Sequence, residues 1–310
     1  MRQLLFLFLL FLPQNSTPYL PAAVPGQSIT AQSDNEVIDC KARGTPVLQG
    51  NGSGTGIVVQ GHRGVVVRNC QAHGFELGLL VSDASRVTVR DSDFSGNYVD
   101  DNNPLDLGGW YPKGGMMLFN TTNSVVQNVT ASGNIAGVQV INGGSNVLRL
   151  NHLNKNRGWG IRLMNSPRNR VEENEGNYNN RSCWSGTDSG CESAGIAIVN
   201  SDYSVVVGNT FNFSGDGIYQ GNTPERASNN CAYLYNTLDD NSANGIEATF
   251  SHDNRFIGNE LQRNNYGFWL GYGSFDVVSG NYIENNRVSP LGAEHSQSLT
   301  LVNNNIPLSP

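Results

Sequence analysis

Charge is scarce in this sequence, and positive charge is the scarcer. Charged residues make up 15% of the chain, and 26 Asp and Glu outnumber 19 Lys and Arg, for a net charge of −7. That balance excludes a nucleic-acid partner, because neutralising phosphates needs a basic face. Low charge combined with frequent Val and Ile also excludes a disordered chain. No segment keeps the 3.6-residue apolar spacing of helices for long, so a helical solenoid is excluded. The five cysteines lack the paired spacing of a zinc site.

Long apolar runs are missing too, with one exception. After Met1 and Arg2 comes the run from Leu4 to Leu12, all Leu and Phe. It is too short to span a bilayer and reads as the core of a signal peptide. Residues 1–23 are therefore expected to form a signal peptide cut near Pro21-Ala22-Ala23. An uncleaved anchor is the alternative. The mature chain is expected to be secreted or periplasmic, monomeric and without a membrane partner.

An exported chain can form disulfides. Cys183 and Cys191 share one Gly/Ser-rich segment and are expected to staple a loop. Cys40 and Cys70 end two similar strings, Val37-Ile38-Asp39-Cys40 and Val67-Arg68-Asn69-Cys70. On adjacent stacked coils they would lie about 4.8 Å apart, within disulfide reach. A disulfide and a pair of buried thiols both fit. Cys231 is left over and is expected to be buried.

Glycine and asparagine are abundant, and they recur in register. The string Gly-apolar-x-apolar begins at Gly56, Gly78, Gly115, Gly137, Gly160 and Gly195, with weaker copies at Gly217, Gly245 and Gly267. The steps are 22, 37, 22, 23, 35, 22, 28 and 22 residues. A repeat this short signals a solenoid, and the three long steps are a standard coil plus an insertion. Asn128, Asn151, Asn174, Asn209, Asn259 and Asn281 follow their glycines by 13 or 14 residues. Others, such as Asn134, Asn156 and Asn265, precede the next glycine. Short strands between tight turns bury an apolar face only by stacking. Alternation then places Ile57 and Val59 inside, with Gln139 and Arg162 outside. Gly and Asn suit the left-handed turns, and stacked Asn side chains can form a hydrogen-bonded ladder.

This pattern resembles the parallel β-helix repeat family, which includes NosD-like periplasmic proteins and many carbohydrate-binding proteins and sugar hydrolases. The resemblance covers roughly Gly56 to Asn303. It implies an all-β, right-handed, single-stranded parallel β-helix of about ten coils of roughly 22 residues. Residues 24–55 would be an N-terminal cap and first partial coil, and 56–310 the β-helix. The tail from Leu299 would cover its open end.

Insertions in a solenoid often frame its binding face. They are read here at 97–114, 178–194 and 223–233. The first carries Asp100, Asp101, Asp106, Trp110, Tyr111 and Lys113, and the second Trp184 and Asp188. Their coils are three steps apart, about 14 Å. Together the three would wall a groove over the first strand of each coil. Its floor would be the exposed outward column Gln139, Arg162, Ala197, Tyr219, Glu247 and Trp269. Aromatic faces stack on sugar rings, and Arg holds a carboxylate through two bonds. A polysaccharide or oligosaccharide is the expected partner, with Gln139, Trp269, Lys113, Tyr111, Trp110 and Trp184 binding it.

Three chemistries suit these residues. Glycoside hydrolysis needs two carboxylates about 5 to 9.5 Å apart, and Glu247 with Asp216 can supply them, or Asp188 in place of either. Uronate lyase chemistry needs a cation and a base, for which Arg162, Lys113 and Tyr219 serve. An epimerase would use similar groups. Asp100, Asp101 and Asp106 offer oxygen ligands for Ca²⁺, the only cofactor expected. The paired-Asp and Gly-His-Gly signature of β-helical polygalacturonases is absent, apart from a faint echo in Ser214-Gly215-Asp216-Gly217. The Asp-Pro-His string of alginate epimerases is absent as well. The rival expectation is a non-catalytic β-helix, either a glycan-binding surface protein or a NosD-like accessory factor of copper-enzyme maturation. His62, His73, His152, His252 and His295 are scattered, and Met116-Met117 with His152 form no ligand cluster.

Overall fold

The computed structural model describes residues 18–98, 110–180, 193–221 and 223–305. Among them the only helical turn is a 3₁₀ turn at Pro224–Arg226, and all paired strands are parallel. The first strands of the coils form an 11-stranded sheet, starting at Ile29–Thr30 and ending at Ser289–Gly292. A 13-stranded sheet forms the second side. A narrow third side consists of single bridges, from Thr130↔His152 through Thr237↔Glu260, and the strands Glu260–Gln262 and Tyr282–Glu284. The fold is an all-β, right-handed parallel β-helix.

The core is built from two columns. In the first sheet Ile57, Leu79, Met116, Val138, Ile161, Ile196, Ile218, Ile246 and Phe268 stack in register. Each is fully buried, and each such side chain contributes roughly 1.5–3 kcal/mol. Val67, Val89, Val126, Leu148, Val171, Val206, Tyr233 and Phe256 do the same from the second sheet. One apolar cluster runs unbroken from Ala31 to Ile283. Tyr233 therefore belongs to a coil strand, Ala232–Leu234, although it was counted in the third insertion.

The repeating glycines serve a purpose other than left-handed turns. None of the nine has a positive φ. A Cβ on Gly115, Gly137, Gly160 or Gly217 would lie 2.5–2.6 Å from the carbonyl oxygen of the next coil's glycine. They are glycine because stacked backbones approach closely there. The left-handed corners are held instead by other residues, such as Asn128 (φ 50), Leu150 (φ 55) and Tyr235 (φ 53).

The Asn ladder exists and is buried. Each Asn side-chain amide from Asn151 donates to the Oδ1 of the next through Asn174, Asn209, Asn236, Asn259, Asn281 and Asn304, at 2.8–3.0 Å. Asn128 is not a rung. It sits at an exposed corner and bonds Asp91, while the Val129 backbone donates to Asn151. A second ladder runs from Asn97 through Asn134 and Asn156 to Asn179, and another stretch from Asn241 through Asn264 to Asn286. Asn264, rather than Asn265, is the rung.

Cys40 and Cys70 form a disulfide, with Cα atoms 4.9 Å apart. The register differs from the one the two strings suggest. Ile38 pairs with Val67, not Arg68, and Asn69 takes a left-handed turn that brings Cys70 opposite Cys40. Cys231 is a buried free thiol whose pKa desolvation raises to about 12. At the far end Leu299 packs on the core, but Thr300–Val302 is the terminal strand of the second sheet and is exposed rather than a cover.

Residues 1–17 of the expected signal peptide lie outside the described residues. So do Asp100, Asp101 and Asp106, the Cys183–Cys191 pair, Trp184 and Asp188. No described helix is long and apolar enough to cross a membrane.

Candidate functional site

The predicted column of outward residues exists in the predicted order. Gln139 pairs with Arg162, Arg162 with Ala197, Ala197 with Tyr219, Tyr219 with Glu247, and Glu247 with Trp269. It is not an exposed floor along its length. Gln139, Arg162 and Ala197 are fully buried and Tyr219 nearly so. An apolar layer covers this part of the sheet: Leu80, Met117 and Phe119 lie under Leu20 and Trp110, and Trp159, Ala197 and Tyr219 under Tyr98 and Tyr111.

The residues expected to wall the groove are part of that cover. The Trp110 ring packs edge-on against Phe119 at 5.5 Å, and its Nε1 donates to the Tyr19 carbonyl at 3.0 Å. Tyr111 lies 6.0 Å from Trp159. Lys113 sits 4.1 Å over the Tyr98 ring with Nζ 3.5 Å from the Glu76 carboxylate. Desolvation opposes its charge, but the Tyr98 and Glu76 interactions outweigh it and raise its pKa. Gln139 Nε2 donates to the carbonyls of Tyr111 at 2.7 Å and Lys113 at 3.0 Å, clamping this segment to the sheet. Its Oε1 accepts from Arg162 Nη1 at 3.2 Å. The Arg162 guanidinium lies 4.8 Å over Trp159 and 5.6 Å over Tyr111. A buried Arg between two rings positions the cover.

The chemistry changes one strand past Ala197. The residue before each repeating glycine forms a neighbouring column, which starts at the buried Thr55 and is apolar or small at Leu77, Gly114, Ala136, Trp159 and Ala194. It then becomes Asp216, Asn244 and Tyr266. Asp216 Oδ1 accepts from the Asn244 backbone at 2.8 Å, and Asn244 Nδ2 donates to Glu247 Oε2 at 2.9 Å. One residue thus ties both predicted carboxylates together. Glu247 is partly exposed, as are Tyr266 and Trp269, whose rings lie 5.0 Å apart and tilted. Trp269 leans over Gly292, where a Cβ would meet its ring at 2.4 Å. Glu247, Tyr266 and Trp269 form the accessible polar end of this face, with Asp216, Tyr219 and Asn244 buried beside them. Asn244 and Tyr266 were not singled out in the sequence, although reading the residue before each glycine shows the switch at Asp216.

The right-handed β-helix region family model matches residues 26–192, more than half of the chain, and the chain belongs to that family. The NosD periplasmic copper-binding protein model matches residues 175–307. Among solved structures, the chain is similar to the Dettilon tailspike protein, with TM-score 0.55 and 13% identity over 89% of this chain. It spans about 60% of that tailspike. The periplasmic alginate epimerase AlgG gives TM-score 0.53 and 14% identity over 84% of this chain and 78% of the epimerase. PfbA, a surface adhesin of Streptococcus pneumoniae, gives 0.54 and 12% over 83% and 68%. At these identities the likeness is one of fold. No curated protein matches the chain. The described residues do not fit a copper site. They contain no group of three or more His, Cys, Asp and Glu able to hold a metal ion, and Met116 and Met117 are buried in separate apolar clusters.

Proposed function

We propose that this protein is an exported carbohydrate-active β-helix that binds a glycan across the accessible end of the first sheet and hydrolyses it there. The observation that carries this reading is the pair Asp216 and Glu247, bonded to a common Asn244 beside Tyr219, Tyr266 and Trp269. Aromatic faces seat sugar rings. Two carboxylates on adjacent strands supply the acid and the base or nucleophile of glycosidic cleavage. Glu247, the more exposed, meets the leaving oxygen. Asp216, nearly buried, faces the other side of the bond. Arg162 orders the covering segment and holds no substrate. Export is supported by the Cys40–Cys70 disulfide, which persists in oxidising compartments, and by the apolar run at Leu4–Leu12.

The test is a screen of neutral and acidic polysaccharides for new reducing ends and for the ultraviolet absorbance of unsaturated products. Hydrolysis predicts reducing ends without unsaturation. Glu247→Gln and Asp216→Asn should each lower the rate by about 100-fold or more, the usual worth of a general acid or base. Unsaturated products would replace hydrolysis by elimination. Glycan binding without turnover, unaltered by Glu247→Gln, would make the protein a non-catalytic binder.

A further inference from the structure

A further concavity lies away from the first sheet. It is a trough of about 740 Å³ along the bend between the second sheet and the third side. The corner residues of successive coils run along it, namely Asp91, Asn128, Leu150, Glu173 and Gly208, all with left-handed backbones. Such corners throw their side chains outward. Leu150 is 44% exposed, an apolar patch in a polar trough. Gly208 leaves a notch. One coil beyond it stands Tyr235, the most exposed large apolar side chain described, at 65%. Its ring leans across Gly258, where a Cβ would come within 2.5 Å of two ring carbons. The opposite wall offers hydrogen-bonding groups, His152, Glu175, Asn177 and Thr210. At the other end the trough continues through Asp91 and Asn128 into a second hollow of about 430 Å³.

We infer that this trough is a second glycan-binding site, for a linear oligosaccharide that carries no acid groups. From Asp91 to Tyr235 the corner column advances five coils, about 24 Å at the spacing of stacked strands. The repeat of the wall suits a repeating polymer lying parallel to the axis. Leu150 and the Tyr235 ring offer apolar faces to sugar rings, and the amides and carboxylates between them meet hydroxyls. The charge pattern sets the class. Asp91, Glu173 and Glu175 line the 740 Å³ trough and no Lys or Arg does. Glu173 makes no ion pair among the described residues. Asp91 is paired with Arg90 and Glu175 with His152, so a uronate chain would find no unpaired cation in the trough and would meet the unpaired Glu173 at its centre.

The site is separate from the proposed catalytic face, so its test uses the Trp269→Ala, Glu247→Gln protein, in which that face is disabled. Calorimetric titration uses hexasaccharides of glucose, mannose and N-acetylglucosamine, with hexagalacturonate as the counter-probe. At least one neutral hexasaccharide should bind, and Tyr235→Ala added to that background should weaken it about tenfold, the upper worth of an aromatic contact. Leu150→Asp should weaken it too, and hexagalacturonate should not bind. Thermal melts establish that the variants are folded; both side chains are exposed corners, so the melts should match. Failure of all neutral hexasaccharides, affinity unchanged by Tyr235→Ala, or preferential binding of hexagalacturonate would each overturn the inference.

Discussion

Asp276 is a carboxylic acid where the neighbouring coils use amides. Its Oδ1 accepts the Asn254 backbone amide at 2.8 Å, as Asn169 does for Asn146 and Asn146 for Ser124. Burial raises its pKa from 3.8 to about 6, despite the Asn254 bonds. The folded state thus favours the protonated acid. Its contribution to stability is fully present below about pH 4 and lost as pH rises through about 6. Asp276→Asn should keep the ladder bond, stabilise the protein at pH 7 by about 1–2 kcal/mol and leave it unchanged at pH 4. Urea unfolding at the two pH values checks this, and an equal effect at both would contradict it. At this scale the sequence was legible where a side chain's direction follows from alternation. The order Gln139, Arg162, Ala197, Tyr219, Glu247, Trp269 could be read that way. Which of those residues meet water could not, because Tyr98 and Tyr111, from a distant part of the chain, pack over Ala197 and Tyr219 and leave Glu247 and Trp269 partly exposed.

Elements here are defined by stacking more than by local propensity. The side chain of an Asn rung makes three bonds to the coil before it and one to the coil after. Asn236 Oδ1 accepts both the backbone amide and the side-chain amide of Asn209, and its Nδ2 donates to Val206 and Asn259. Asn236→Ala should cost about 2–4 kcal/mol, since it strands buried donors. Asn128→Ala, at an exposed left-handed corner, should cost about 1 kcal/mol, the strain of alanine in that backbone. Denaturant titrations of the two variants measure the difference, and similar losses would contradict the assignment of rung and corner. The Asn periodicity was visible in the sequence, but rung and corner differ by a single position. A one-residue shift separates Asn151, inside, from Asn128, outside, and only the pairing of neighbouring coils resolves it. The same ambiguity shifted the pairing of the Cys40 and Cys70 strings. The glycines were legible as a repeat and misleading as turns, because close approach of backbones and a positive φ both select glycine.

As a whole molecule the protein is quasi-one-dimensional, and each coil stacks on its immediate neighbours. Damage should therefore stay local. The Cys40–Cys70 disulfide closes a sequence separation of 30 residues and ties the first partial coil to the next. Replacing both cysteines by alanine should destabilise that end by about 2–4 kcal/mol. Hydrogen exchange should accelerate in residues 37–49 and stay unchanged in the central strand Trp159–Met164. Uniform acceleration would contradict local coupling. The fold was legible at this scale because a 22-residue step and buried Val and Ile leave few architectures. The site was legible only in outline, since it depends on which part of a long face is left uncovered.

The central claim is that a glycan lies across Glu247, Tyr266 and Trp269. A crystal structure of the Glu247→Gln protein, soaked with the oligosaccharide that binds the wild type most tightly, tests it most directly. Sugar rings stacked on Trp269, with a glycosidic oxygen between residue 247 and Asp216, are the predicted result. A saccharide bound elsewhere, with that face empty, would contradict it.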